Sequence, residues 1–277
     1  MLGALIIVFR EVIEAGLVIG IVLAVTRGAR GSRAYVFGGV AAGALGAGVV
    51  ALFADALSQA VAGRGQELFN AGVLAVAVVM LATHNIWMAR HGRELASELA
   101  AAGRAAVSGE KSFLALAVVV AVAVLREGSE VALFLYGILA SGETAADLFA
   151  GGVAGLVLGA GVSALTYFGL VTIPARHLFA VTTAMITLLA AGLAAQCAGF
   201  LQQAWIVTAL SQTVWDTSGV LPDSSLFGRV LHTLIGYVDQ PTALQLVAYV
   251  ATLAGIIIAT RLASPRPAAA NVHAAAE

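Results

Sequence analysis

The chain has 277 residues, of which 61% are hydrophobic and only 10% charged, against roughly 25% charged in soluble domains. With a mean hydropathy of +0.99, that balance cannot cover a water-facing surface, so most of the surface must meet lipid. The formal net charge of −1 offers no bulk basic field for nucleic acid, and the single cysteine, Cys197, excludes an intrachain disulfide or a paired-cysteine zinc site.

The first apolar run, about 2–26, exceeds the roughly 20 residues needed to cross a bilayer. Arg10, Glu11 and Glu14 interrupt it. Nothing basic precedes Arg10, so the run reads as a mature first span and not as a cleaved secretory signal. Further spans are expected at about 35–57, 67–89, 113–140, 147–170, 177–203 and 241–261, the last opening on Pro241, a residue favoured in a first helical turn. The outer stretch 204–240 contains SSLFGRVLHTLIGY, whose apolar spacing predicts an amphipathic helix at the membrane interface. The tail, 262–277, has no apolar period and is expected to be a disordered cytoplasmic segment.

Basic residues in short loops orient the spans. Arg27, Arg30, Arg33, Arg90, Arg93, Arg104, Lys111, Arg176, Arg261 and Arg266 fall on one side, and only Arg64 and Arg229 on the other. The N-terminus is therefore expected outside and the C-terminus in the cytoplasm. Arg10 and Arg126 belong to neither side; they lie within spans.

The chain repeats itself. FREVIEAGLVIGIVLA aligns with LREGSEVALFLYGILA, AAGALGAGV with AGLVLGAGV, and ELFNAGVL more faintly with HLFAVTTA. Spans one to three thus recur as spans four to six, in opposite membrane orientation because each unit has an odd number of crossings. The expected fold is an all-α integral membrane protein of seven transmembrane helices, an inverted 3+3 repeat plus one extra helix. Within a permease domain of 1–261, repeat one covers 1–90, repeat two covers 112–203, and an outer loop with its interfacial helix covers 204–240. Inverted repeats of this kind place a site near the bilayer midplane.

Arg10, Glu11 and Glu14 fit within a ~100° arc of one helix face, as do Arg126, Glu127 and Glu130. Both triplets fall near the middle of their spans. Six such residues facing lipid independently would cost roughly 15–20 kcal/mol, so they must face each other or a wet cavity. Arg–Glu pairing offsets part of that cost and leaves four carboxylates against two guanidiniums. The surplus suits a bound hard cation, with Glu11, Glu14, Glu127 and Glu130 as ligands or relay groups and Arg10 and Arg126 organising them. A purely structural salt-bridge network is the bland alternative. His84, Asp55 and Gln196 are weaker candidates: His84 and Asn85 near the inner end of span three, Asp55 near the outer end of span two. Interhelical hydrogen bonding is the default role for each. Acidic outer loops and His232 could gather cations, though a solvated loop is the simpler reading. Gly39 and Gly43 in span two and Gly151, Gly155 and Gly159 in span five form small-xxx-small steps that let backbones approach closely.

The paired segments FREVIEAGLVIGI and LREGSEVALFLYGI resemble the doubled Arg-Glu-x-x-Glu signature of the oxidase-dependent iron permeases, the fungal high-affinity iron permeases and their bacterial EfeU-type relatives. PARHLF and WDTSGVLP…LFGRVLHTLIGYVDQPT are similar too, so the resemblance spans nearly all of 1–261. It implies inward iron transport across a plasma membrane, the inner membrane in a bacterium, by a multi-pass permease that is not an enzyme. It also implies iron as cargo with no resident cofactor. The implied partners are separate extracytoplasmic oxidase or peroxidase and iron-capture chains, with no nucleic acid. The family's motif glutamates map onto Glu11, Glu14, Glu127 and Glu130. One departure concerns the residue after Arg-Glu, commonly glycine: Gly128 keeps it, but Val12 stands in the first copy, which puts close helix approach there in question. The rival readings are transport of another metal such as lead or manganese, an intramembrane carboxylate enzyme, and a structural membrane component. His-x-x-x-His and Gly-x-Ser-x-Gly patterns are absent from the sequence, which disfavours the enzyme.

Overall fold

The computed structural model describes residues 1–61, 66–169 and 175–263. Within them, regular structure is helical apart from one isolated antiparallel bridge, Thr213 to Thr242. The helices are α1 (Leu2–Val25), α2 (Ser32–Val61), α3 (Gln66–Val107), α4 (Phe113–Ala140), α5 (Ala145–Tyr167), α6 (Ala175–Gln203), α7 (Leu226–Ile235) and α8 (Ala243–Ala263). The expected tail falls outside the described residues from 264 onward, as does Arg64.

Local chemistry sets several of these ends. Ser112 opens α4 by accepting the Ala115 N–H at 3.1 Å. Thr144 opens α5 in the same way through Asp147, also at 3.1 Å. Ser225 caps α7 through Gly228, and Gly236, at φ 69°, closes it in a left-handed conformation that suits glycine. Tyr237 and Pro241 follow as the chain turns back toward α8.

Among the described residues, five helices carry stretches long and apolar enough to cross a membrane: Ser32–Ala54, Gln66–Met88, Ala145–Tyr167, Ala180–Gln203 and Ala243–Ala263. α1 and α4, at 24 and 28 residues, match them in length but carry three charged side chains each. The polarity of the bundle is inverted relative to a soluble protein. Leu45, Leu52 and Phe53 on α2 and Phe149 and Val157 on α5 are largely exposed, while Arg10, Glu11, Glu14, His84 and Glu127 are buried. Such an exposed apolar shell needs a hydrocarbon solvent.

Packing follows the glycines. α2 lies against α4 and α5 against α1, the two most extensive helix contacts, with α3 against α6 next. A Cβ on Gly43 would sit 2.5 Å from the Ala121 carbonyl oxygen of α4, and one on Gly155 would sit 2.6 Å from the Leu5 carbonyl oxygen of α1. Gly39 faces the Ala117 carbonyl and Gly151 the Met1 carbonyl in the same manner. A shift of 116 residues relates Arg10 to Arg126, and equally Met1 to Ala117 and Leu5 to Ala121. Only glycine lets these backbones come so close.

α3 overruns its expected end at residue 89 by more than four turns. Trp87 lies beside Arg126, whereas Ala106 packs with Val22, Val36, Leu116 and Val120 at one end of the bundle. From Trp87 to Ala106 the helix covers about 28 Å, but α4 travels only about 9–15 Å between Arg126 and the same cluster. The last turns of α3 therefore run obliquely beneath the bundle. Residues 89–107 are rich in alanine, glutamate and arginine, which favour helix while lacking the apolarity of a span.

Candidate metal centre

The α1 and α4 motifs meet at the middle of the bundle, each held by its own close-packed partner, α5 or α2. In the first motif the Arg10 Nε lies 2.8 Å from Glu14 Oε1, and Nη1 lies 3.6 Å from Glu11 Oε1. In the second, Arg126 Nε donates to Glu130 Oε1 at 3.1 Å. Both are the i,i+4 pairs that the helix period allows.

The surroundings of the two arginines differ. Arg10 is 2% exposed, whereas the Arg126 side chain is 37% exposed and stacks over the Trp87 ring, 4.2 Å from its centroid. Arg126 borders a cleft of about 390 Å³ lined also by Met80, Thr83, His84, Trp87 and Glu130. That cleft reaches the centre from one flank of the bundle.

His84 joins the two motifs. Its Nε2 lies 3.3 Å from Glu14 Oε2, and its Nδ1 contacts Glu130 Oε2 on the other helix. Next to it, Asn85 Nδ2 donates to Thr187 Oγ1 at 3.3 Å, and Thr187 donates on to the Thr183 carbonyl, so α3 is fastened to α6 at the level of the ring.

Glu11, His84, Glu127 and Glu130 each bring a ligand atom to within 4.8 Å of the others. Glu127 Oε2 and Glu11 Oε2 are buried without a hydrogen-bond donor. Buried carboxylate oxygens left this way are costly unless a cation or proton arrives. Oxygen donors with one imidazole suit a hard or borderline divalent metal and not a soft one.

The candidates named from sequence distribute as follows. Glu11, Glu127 and Glu130 converge. Glu14 is on the far side of His84, between that ring and Arg10. His84, expected near the inner end of span three, is at the centre, in contact with Glu14 of α1 and Glu130 of α4. A histidine on a helix opposite two acidic motifs was the available signal. Gln196 is elsewhere: its amide donates to His232 Nε2 at 2.7 Å, while His232 Nδ1 donates to the Tyr237 carbonyl. Asp55 lies on α2, and its side chain is outside the described residues. Val12 does not force the helices apart, since Gly159 on α5 faces it; in the second motif Gly128 faces Ala47 of α2 instead. The small residue has moved to the partner helix.

The acids between α6 and α8 hold that loop together. Asp239 N–H donates to Asp223 Oδ1 at 3.1 Å, and Asp223 N–H donates to Asp239 Oδ2 at 3.2 Å. Burial, and next the charge of Asp239, push the Asp223 carboxyl above its ordinary range. Asp216 accepts both the hydroxyl and the backbone N–H of Ser218, which holds its carboxyl below that range.

The profile described as "Iron permease FTR1 family" matches residues 1–264. A protein named ferrous iron permease EfeU from Yersinia pestis is 31% identical over 98% of this chain and 96% of its own length. The protein of the same name from Escherichia coli O6:H1 (strain CFT073) is 29% identical over 91% of this chain and 92% of its own. No solved structure matches the chain. With the profile covering all but the last residues, and with a relative this similar along nearly the whole length of both, the chain belongs to the iron permease FTR1 family.

Proposed function

We propose that the protein carries ferrous iron inward across a bacterial inner membrane, through a midplane site built from its two Arg-Glu-x-x-Glu motifs. The observation that carries this reading is the convergence of Glu11 from α1 with Glu127 and Glu130 from α4 at the buried centre of an apolar-shelled bundle. The relatives' names supply the cargo. Glu11, Glu127 and Glu130 hold the ion, and Glu14 shares the chamber. Arg10 and Arg126 keep the carboxylates together when no cation is present. Iron is substrate, and no resident cofactor takes part.

Seven helices cross the membrane, α1 to α6 and α8, with the N-terminus outside by the distribution of basic residues. Exchange of α1–α3 with α4–α6 maps the α1–α5 contact onto α4–α2, and leaves the α3–α6 and α1–α4 contacts in place. This pattern, with the shared 116-residue shift of the glycine-facing carbonyls, supports an inverted repeat whose halves rock about the central site. α7 and the loop around it lie on the outer face. A separate extracytoplasmic oxidase or peroxidase and a capture protein deliver the iron.

Uptake of radioactive iron into proteoliposomes tests the reading. Glu11→Ala, Glu127→Ala and Glu130→Ala chains, shown to be inserted and folded, are expected to lose uptake. Unimpaired uptake in any two of them would refute it, and manganese or lead outcompeting iron would reassign the cargo.

A further inference from the structure

Resting on the reading above, we infer that His84 is a nitrogen ligand to the transported metal, and that Glu14 is not a ligand but the carboxylate that orients His84. The four motif glutamates are alike in sequence. The structure separates them. The converging ligand atoms belong to Glu11, Glu127, Glu130 and His84, and Glu14 is not among them. Glu14 instead stands behind the ring, with Oε1 on Arg10 at 2.8 Å and Oε2 on His84 Nε2 at 3.3 Å.

An imidazole placed between two carboxylates has one nitrogen for each. Nδ1 faces Glu130, a member of the converging set, and Nε2 faces Glu14, which is held by Arg10. When a metal sits among Glu11, Glu127 and Glu130, Nδ1 presents its lone pair to it and the Nε2–H donates to Glu14. This is the carboxylate–histidine–metal relay by which proteins fix the tautomer and direction of a ligating ring. Arg10, 2% exposed, locks Glu14, and Asn85 on Thr187 fixes the helix turn that carries the ring.

The repeat gives this ligand no twin. The faint alignment of spans three and six, 67–74 with 177–184, carries His84 onto Ala194. The centre thus has mirrored carboxylates and one unmirrored nitrogen donor. The consequence is selectivity. Carboxylates alone suit magnesium, calcium and manganese, whereas imidazole adds affinity for iron and the later divalent metals. His84 is the residue that lets an acidic chamber prefer Fe2+ over the more abundant hard divalent ions.

The test uses the full chain in lipid nanodiscs, loaded anaerobically with one equivalent of Cu2+ and read by electron spin echo envelope modulation. A ligated imidazole appears through its remote nitrogen, and the quadrupole splitting of that nitrogen reports what its N–H donates to. The wild type is expected to show the modulation and His84→Gln to lose it. Glu14→Gln is expected to keep it with a changed quadrupole splitting, and to bind Fe2+ about 10–100-fold more weakly. The preference for Fe2+ over Mn2+ in binding should fall by about tenfold or more in His84→Gln. Modulation that survives His84→Gln, or a splitting unmoved by Glu14→Gln, overturns the inference. If His84→Gln fails to fold, a chain with His91, His177, His232 and His273 all changed to Gln leaves His84 as its one imidazole, and absence of modulation there overturns it equally. These are binding measurements. A chain that passes them yet moves no iron into vesicles refutes the permease reading and leaves the ligand assignment standing; a transporting chain without imidazole ligation does the reverse.

Discussion

Replacing Arg10 by methionine should destabilise the bundle far more than the same change at Arg126, although the two arginines hold equivalent places in the paired motifs. Arg10 is 2% exposed and serves both Glu14, at 2.8 Å, and Glu11, at 3.6 Å. Its loss leaves Glu11 buried beside Glu127 with no guanidinium, the situation in which breaking a buried pair costs about 3–5 kcal/mol. Arg126 has a side chain 37% exposed, and Glu130 keeps its His84 contact when Arg126 is removed. What is lost there is a partly exposed ion pair and the stacking on Trp87, together about 1–2 kcal/mol. The difference, about 2–3 kcal/mol, is on the order of 100-fold in the unfolding equilibrium. Equilibrium unfolding of the two variants in mixed micelles, followed by circular dichroism because Trp87 touches Arg126, measures it directly. Equal costs, or a larger cost at Arg126, would refute the reasoning from burial.

Two further outcomes follow from the same geometry. A Cβ at Gly155 meets the Leu5 carbonyl at 2.6 Å and Val8 Cβ at 3.0 Å, whereas one at Gly161 meets nothing within 4 Å. Gly155→Val should therefore cost about 1–3 kcal/mol by overpacking and weaken iron binding by displacing α1. Gly161→Ala should leave melting temperature and binding unchanged, and thermal melts of the pair check this. In the loop between α6 and α8, the Asp223 carboxyl lies above the ordinary value of 3.8, so the folded loop binds that proton more tightly than the unfolded chain. Its contribution to stability is present at pH below that value and is lost as pH rises through the raised value. Asp239→Asn removes the repelling charge and should flatten this dependence, as read by loop tryptophan fluorescence from pH 3 to 7.

Much of the fold was legible in the sequence because a bilayer imposes a simple rule: apolar runs of span length form helices. The run read as 113–140 is α4 to the residue, Phe113–Ala140. A helix around SSLFGRVLHTLIGY was legible from its apolar spacing, and appears as Leu226–Ile235. The glycine steps were legible as close-approach surfaces, though which helix each would meet was not. The far end of α3 was missed because apolarity ends before helix propensity does. His84 was undervalued because its depth was judged from the apolar run alone, which does not show how α3 is set against α1 and α4. The unequal burial of Arg10 and Arg126 had no sequence signal. It arises from the cleft that α3 leaves beside α4, and a repeat predicts only sameness.

The central claim is that the two motifs share one metal chamber. A structure of the full chain in lipid with Fe2+ added anaerobically, with diffraction recorded above and below the iron absorption edge, tests it most directly. The account predicts one anomalous peak between α1 and α4, about 2.0–2.5 Å from carboxylate oxygens of Glu11, Glu127 and Glu130. Iron found only at the loop between α6 and α8, or bound to one motif while the other faces away, would contradict it.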